Sequence, residues 1–179
     1  MDETRRILIT GSSSGIGAAI ARRLAGPGAR IMVHARQNRA GCERVAADLA
    51  ALGAETAIRL ADLRDPAATE AMVDEAVRLF GGLDVLVANA GFPELKLFGD
   101  LSRADLDRCY EVIGAGFFHL ATRALPSLQT SDAGRVVAVS TLNAHVFRPN
   151  YPLNPASAAA KAALEALCAA SRSSLRPRA

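Results

Sequence analysis

The chain has 179 residues, 50% of them hydrophobic and 22% charged, with a net charge of +3, which is the size and balance of one domain with a real core. Aromatics make up only 4% and the arginines are scattered over helix faces, so neither the basic stripe nor the aromatic platform of a nucleic-acid binder is present. No apolar run approaches the roughly 18 residues of a membrane span, Met1 to Arg6 lead into the first apolar run without a hydrophobic leader, and Cys42, Cys109 and Cys168 are odd in number and far apart, so a cytoplasmic protein with reduced thiols is expected.

The first apolar run, Ile7-Leu8-Ile9, predicts a strand, and Thr10-Gly11-Ser12-Ser13-Ser14-Gly15-Ile16-Gly17 follows it. Ile16, Ala19, Ile20 and Leu24 then recur at helical spacing until Gly26-Pro27-Gly28 stops the helix. Glycines in such a turn permit positive φ and a close backbone approach, and the first free N–H groups of the helix suit a pyrophosphate. The expected ligand is a dinucleotide; a P-loop is excluded, because no Gly-Lys-Ser/Thr follows.

Ala29 to Val33 predict the second strand, which runs into His34-Ala35-Arg36. An acidic residue roughly 20 positions after the glycines would bind the ribose 2′-OH of NAD, whereas an arginine accommodates the 2′-phosphate of NADP. Ala35 stands at the acidic site and Arg36 follows it, so NADP(H) is favoured over NAD(H); the alternative is a solvated loop arginine beside Arg39.

A second helix carries Cys42, Val45, Ala46, Leu49 and Leu52, and Thr56 to Leu60 predict the third strand, followed by Asp62-Leu63. Asp65-Pro66 is an N-cap with proline at the first helical position, opening a helix that buries Met72, Val73, Ala76, Val77 and Phe80 and ends at Gly81-Gly82. Asp84 to Val87 make the fourth strand, leading into Ala88-Asn89-Ala90-Gly91. Ser102 with Asp105 predicts a capped start for one long helix that carries Leu106, Cys109, Ile113, Phe117, Leu120 and Ala124 inward and ends at Pro126. Arg135 to Val139 make the fifth strand, ending at Ser140-Thr141; a proline-rich loop around Tyr151 and an Ala-rich helix from about Ala156 to Ser174 follow. Five strands alternating with five helices give a single α/β domain over residues 1–179, a doubly wound parallel sheet whose order, by analogy with the classic arrangement, is expected to be 3-2-1-4-5.

The run T-G-x-x-x-G-I-G from Thr10, the turn Asn89-Ala90-Gly91 and the segment Ala160-Lys161-Ala162-Ala163-Leu164 resemble the short-chain dehydrogenase/reductase family. The resemblance covers nearly the whole chain and implies a Rossmann fold and an NAD(P)-dependent oxidoreductase acting on a carbonyl or alcohol, a homodimer or homotetramer paired through its two long helices. It implies cofactor contacts at Gly11, Ser13, Ser14, Gly15, Ile16, Gly17, Asp62, Leu63, Asn89, Ala90, Gly91 and Lys161, although Asp62 also suits a plain turn. Relative to the family's pattern the domain is C-terminally shortened, without the last strands, so strand five is expected to be an exposed apolar edge. Glu94, Lys96 and Phe98 are the remaining hints of the substrate lining.

The family's acid/base tyrosine stands four residues before its lysine, so that the two share a helix face and the ammonium lowers the phenol's pKa. Here Ser157 stands four residues before Lys161, and Ile113 stands where the long helix would carry asparagine. An aliphatic hydroxyl is a far weaker acid than a phenol, and isoleucine cannot hold a relay water. Thr141, or Ser140 beside it, supplies the strand-end hydroxyl, and Lys161 is kept. Three readings follow: an enzyme whose acid is Tyr151 or His145, swung in on a loop longer than the family's; a non-catalytic NADP(H)-binding sensor or partner subunit; or an incomplete fragment without activity of its own.

Overall fold

The computed structural model describes residues 4–148 and 150–175. Five parallel strands, β1 (Arg5–Ile9), β2 (Ala29–Ala35), β3 (Glu55–Leu60), β4 (Val85–Ala88) and β5 (Arg135–Ala138), form one sheet of order β3-β2-β1-β4-β5. Crossover helices force the strands parallel, and α1 (Gly15–Leu24), α2 (Arg39–Ala51) and α3 (Pro66–Phe80) supply the first three.

The period-2 alternation of the strands divides the core between two faces. Ile7, Ile9, Ile31, Val33 and Val87 face α1 and α2, whereas Leu8, Met32 and Leu86 face α3 and the helix before β5. A third cluster joins Ala88 to Ile113, Phe117 and the apolar side of α6 (Pro155–Leu175). On the α1/α2 side, β5 leaves Val137 45% exposed, and among the described residues β5 pairs only with β4. The expected open edge is there.

At the foot of the sheet one buried carboxylate ties three segments together. Asp84 accepts from the Arg6 backbone N–H at 2.8 Å, from its guanidinium at 2.6 Å and from the Ser131 hydroxyl at 2.6 Å. Burial works to raise the Asp84 carboxyl, but these donors outweigh it and hold it at about 2.

The helix expected as one piece from Ser102 to Pro126 is interrupted and longer. A capping box between Ser102 and Asp105 opens α4 (Arg103–Tyr110), a π-turn occupies Glu111–Ala115, and α5 (Gly116–Thr130) continues through Pro126. Proline removes one ladder bond, but tertiary contacts hold the turn beyond it. Leu128 is buried, Ser127 Oγ accepts the Leu83 N–H at 2.7 Å, and Thr130 Oγ1 donates to the Ser127 carbonyl at 3.0 Å.

Candidate active site

The C-terminal ends of all five strands open onto one cleft of about 860 Å³, lined by the glycine loop, His34 to Asn38, Ala61 to Leu63, Asn89 to Pro93, Ser140, Thr141 and Lys161. It lies where the strand order reverses between β1 and β4, the place where an open α/β sheet binds its ligand.

The glycine loop is held there by groups that carry no charge. Gly11 and Gly15 take φ of +65° and +55°, a region that side chains resist. Gly17 is needed for a different reason: a Cβ on it would sit 2.6 Å from Asn89 Nδ2 and 2.9 Å from Ser12 Cα. Asn89 Nδ2 donates to the carbonyls of Thr10 (2.9 Å) and Gly11 (3.1 Å), while Thr10 Oγ1 accepts the N–H groups of Asn89 and Ala90, both at 3.1 Å. Ser12 Oγ donates to the Ile9 carbonyl at 2.7 Å and accepts the His34 N–H at 3.0 Å. Ser14 precedes α1 without making a side-chain cap, so the first-turn N–H groups keep their capacity for an anion. Ser13 and the 64% exposed Ile16 line the cleft, whereas Gly15 and Gly17 shape the loop without lining it.

Arg36 is exposed at the mouth of the cleft, just past β2. Asp62, at the end of β3, is gripped by Arg64, whose backbone N–H donates at 3.0 Å and whose guanidinium donates at 2.6 Å, and these bonds hold its carboxyl below the usual range. Leu63 is buried, with Gly116 pressed against it: a Cβ there would meet Leu63 Cβ at 3.1 Å.

Lys161 points into the cleft from α6. It is 8% exposed and its Nζ donates to the carbonyls of Val139 (2.6 Å), Ala90 (3.4 Å) and Asn89 (3.5 Å). Burial lowers its pKa to about 8, because desolvation penalises the ammonium. One turn away, Ser157 also lines the cleft, but its hydroxyl is committed. It donates to the Phe92 carbonyl at 3.0 Å and accepts the Glu94 N–H at 2.7 Å, with Cys109 Sγ at 3.8 Å. The hydroxyl fastens the strand-four loop to α6. Ile113 is buried inside the π-turn, with its Cδ1 3.6 Å from the place where a Cβ on Gly91 would stand.

Ser140 and Thr141 both line the cleft. The Ser140 hydroxyl and His145 hold the Glu165 carboxyl of α6 below its usual range, and His145 Nε2 lies 3.0 Å from a Glu165 oxygen. The structure brings neither His145 nor Tyr151 to the lining. Asn143 Nδ2 clamps the Pro152 carbonyl (2.9 Å) and Asn154 Oδ1 (2.6 Å), and this fastening leaves Tyr151 48% exposed outside.

The substrate end also differs from expectation. Glu94 is buried against Arg108 at 2.6 Å, Lys96 bonds Asp105 at 2.8 Å, and Phe98 is 88% exposed. Phe92, Pro93, Arg108 and Val112 line the cleft instead, with the Arg108 guanidinium stacked 5.0 Å over the Phe92 ring. Arg108 and His34 were not among the expected residues. Each occupies an ordinary helix or strand position with no local motif to mark it.

The family model for short chain dehydrogenases matches residues 5–179. Among curated relatives, the short chain dehydrogenase/reductase AacuN of Aspergillus aculeatus is 36% identical over 140 residues, 78% of this chain and 52% of that protein. Versicolorin reductase 1 of Aspergillus parasiticus is 34% identical over 139 residues, again 78% and 52%. The chain thus spans about half the length of these relatives. Among solved structures, a short chain dehydrogenase from Burkholderia cenocepacia in complex with NADP superimposes with a TM-score of 0.86 at 32% identity, covering 97% of this chain and 71% of that one. A dehydrogenase/reductase from Sinorhizobium meliloti gives 0.85 at 28% identity, covering 96% and 68%. By sequence and by fold, the chain belongs to the short-chain dehydrogenase/reductase family.

Proposed function

We propose that the cleft holds NADP(H) and that the chain serves hydride transfer between the nicotinamide and a carbonyl or alcohol substrate. The observation that carries this reading is the convergence of the uncapped α1 N-terminus, Arg36 and the buried Lys161 on one cleft. The residues present fit a dinucleotide: the N-terminus of α1 has no side-chain cap and Ser13, Ser14 and Ile16 line the cleft beside it, so free backbone N–H groups stand where an anion would sit. When bound, the cofactor supplies the hydride. In this reading Gly11, Ser13, Ser14, Gly15, Ile16 and Gly17 form the pyrophosphate cradle, and Arg36 takes the 2′-phosphate. Asp62 and Leu63 flank the adenine, Asn89 to Gly91 floor the site, and Lys161 donates to the nicotinamide ribose. Thr141, with Ser140 beside it, hydrogen-bonds the substrate oxygen. The NADP bound by the Burkholderia neighbour supports the choice of cofactor, as does the lack of an acid at Ala35.

Reduced cysteines fit a cytoplasmic location, and a homodimer or homotetramer belongs to the same reading by family analogy. The test is a fluorescence titration with NADPH and with NADH. Tighter binding of NADPH, weakened by Arg36→Ala, supports the reading; a folded chain that binds neither overturns it.

A second reading has its own observation. The Ser157 hydroxyl is spent on Phe92 and Glu94, and among the described residues lining the cleft there is no tyrosine. A chain with this site binds NADP(H) as a sensor or partner subunit without ordinary turnover. Loss of a general acid costs about 10²- to 10⁴-fold in rate, so consumption of NADPH across a panel of ketones and aldehydes separates the two.

A further inference from the structure

We propose that His34 is a positioning residue for the glycine loop, its neutral ring holding the Gly11 N–H in place and its protonation releasing the cofactor cradle. The proposal rests on the reading of the cleft as an NADP(H) site. It begins from two hydrogen bonds that between them dictate the tautomer. Nδ1 lies 3.1 Å from the Gly11 nitrogen, and a backbone N–H only donates, so Nδ1 is unprotonated. Nε2 lies 3.0 Å from the Ala61 carbonyl, which only accepts, so Nε2 carries the hydrogen.

The residue is only 2% exposed, at the wall of the cleft. Around it, the Ser12 N–H donates to the His34 carbonyl at 2.9 Å and the His34 N–H donates to Ser12 Oγ at 3.0 Å. The end of β2 and the glycine loop are thus joined by three bonds, of which only the one at Nδ1 titrates. A proton on Nδ1 sets N–H against N–H. The Gly11 donor then loses its acceptor at the residue whose φ of +65° starts the loop and where an added Cβ would lie 2.9 Å from Ala90 Cα. Two donors facing each other at this half-buried contact are costly, and the relief is movement of the loop away from β2.

The charges facing the ring come from one side. Arg59 stands in register with His34 on β3 and is paired to Glu75 of α3 at 2.8 Å. Asp62 follows β3 and is paired to Arg64, and Arg36 lies two residues on. On β1 and the glycine loop the neighbours are Ile9, Thr10, Gly11 and Ser12, none of which titrates. Burial pushes the imidazole down, against the Ala61 hydrogen bond and the Asp62 charge, which favour the proton. The ring is therefore neutral in a neutral cell, and the bond to Gly11 fails only on acidification below the ordinary histidine value of about 6.5.

The test has two arms. In the ligand-free protein, imidazole and amide ¹⁵N spectra are followed from about pH 8 to about pH 5, across the histidine range. The expected result is the Nε2–H tautomer for His34 and a Gly11 amide resonance that moves with the midpoint of His34. The Nδ1–H tautomer, or a Gly11 amide that ignores His34, overturns the proposal whether or not any cofactor binds.

In the second arm NADPH affinity is measured over the same range in wild type, His34→Asn and His34→Gln. Asparagine keeps an acceptor near the Nδ1 position without titrating, so it should bind like wild type near pH 8 and be spared the acid loss of about tenfold that one stranded hydrogen bond implies. Glutamine reaches toward Ala61 and abandons Gly11, so it should bind weakly throughout. The cofactor's own 2′-phosphate titrates equally in all three and cancels. An acid loss in His34→Asn equal to that in wild type overturns the proposal. If none of the three binds NADPH at any pH, the cofactor reading fails, and the spectra alone decide the role of His34.

Discussion

The two ends of the cleft are built in opposite ways. At the glycine loop, most ties run between backbone groups and short uncharged side chains: Thr10, Ser12 and Asn89 satisfy the backbone of the turn, the neutral His34 ring accepts the Gly11 N–H, and glycines fill the places where a Cβ would collide. At the other end, serine hydroxyls and the Lys161 ammonium supply the polar groups, and most are turned onto the protein itself. Ser157 fastens Phe92 and Glu94, Lys161 donates to three carbonyls, and Ser140 shares Glu165 with His145. A close-packed turn tolerates no change of volume, whereas a single side chain at the acid position can be replaced by another that packs. The glycine-loop end is therefore the less tolerant of substitution of the two.

The contrast breaks most sharply at Gly17. Alanine there drives a methyl group into Asn89 Nδ2 and Ser12 Cα and displaces the amide that braces Thr10 and Gly11. Overpacking of this kind costs about 1–3 kcal/mol, and the loop must shift to relieve it. Gly17→Ala should lower the unfolding free energy measured in urea by that amount and abolish measurable NADPH binding. A variant that melts normally and binds NADPH would show that the cradle is softer than its packing implies.

Lys161 probes the other end through pH. Its folded pKa of about 8 lies below the 10.5 of an exposed lysine, so between these values the unfolded chain binds more protons than the folded one. Stability from this group therefore rises as pH increases through that window, by up to about 1.4 kcal/mol per pH unit. The difference between wild type and Lys161→Met in urea unfolding, measured at both edges of the window, isolates it. A constant difference would mean that the ammonium is better solvated than its 8% exposure suggests.

Much of this arrangement could be read from residue types alone. The succession of strands and helices follows from apolar runs punctuated by glycine pairs and capped starts, Asp65 and Ser102 cap as their spacing predicts, and the order in the sheet is that of the doubly wound arrangement such a succession matches. The positive φ of Gly11 and Gly15 is equally legible, whereas the packing of Gly17 against Asn89 and Ser12 is not. The π-turn at Glu111–Ala115 and the passage of α5 through Pro126 were not, because both are maintained by contacts with distant segments that override local propensity. His34 looked like one more residue of a buried strand, since its partners, Gly11 and Ala61, meet it only once β2 lies between β1 and β3. Arg108 was hidden in the same way, its stacking on Phe92 being set by a loop of no regular structure.

Ser157→Ala and Arg36→Ala sharpen the comparison from its two sides with smaller effects. Removing the Ser157 hydroxyl leaves the Glu94 N–H without its acceptor, which costs about 1–3 kcal/mol. If this hydroxyl is a tie and not an acid, any turnover measured with NADPH should fall less than tenfold. A loss approaching the about 10²-fold expected of a general acid would return Ser157 to the chemistry. Arg36 is exposed, so its replacement should leave the melting curve unchanged while reducing the preference for NADPH over NADH by about tenfold, the worth of one charge-assisted contact.

The smallest effect is expected at Tyr151. The Asn143 amide holds Pro152 and Asn154 on either side of the loop base, and the Tyr151 N–H closes a turn onto the Arg148 carbonyl at 3.1 Å, so the phenol is carried outward. Bringing it to Lys161 would require breaking the Asn143 clamp and burying a side chain now 48% exposed. Tyr151→Phe should therefore change neither NADPH affinity nor turnover, and Asn143→Ala should lower stability without raising turnover. A large loss in the phenylalanine variant, accompanied by a gain in the Asn143 variant, would mean that the clamp is a gate and that the reaction end is completed by motion, leaving the glycine loop as the only end fixed in advance.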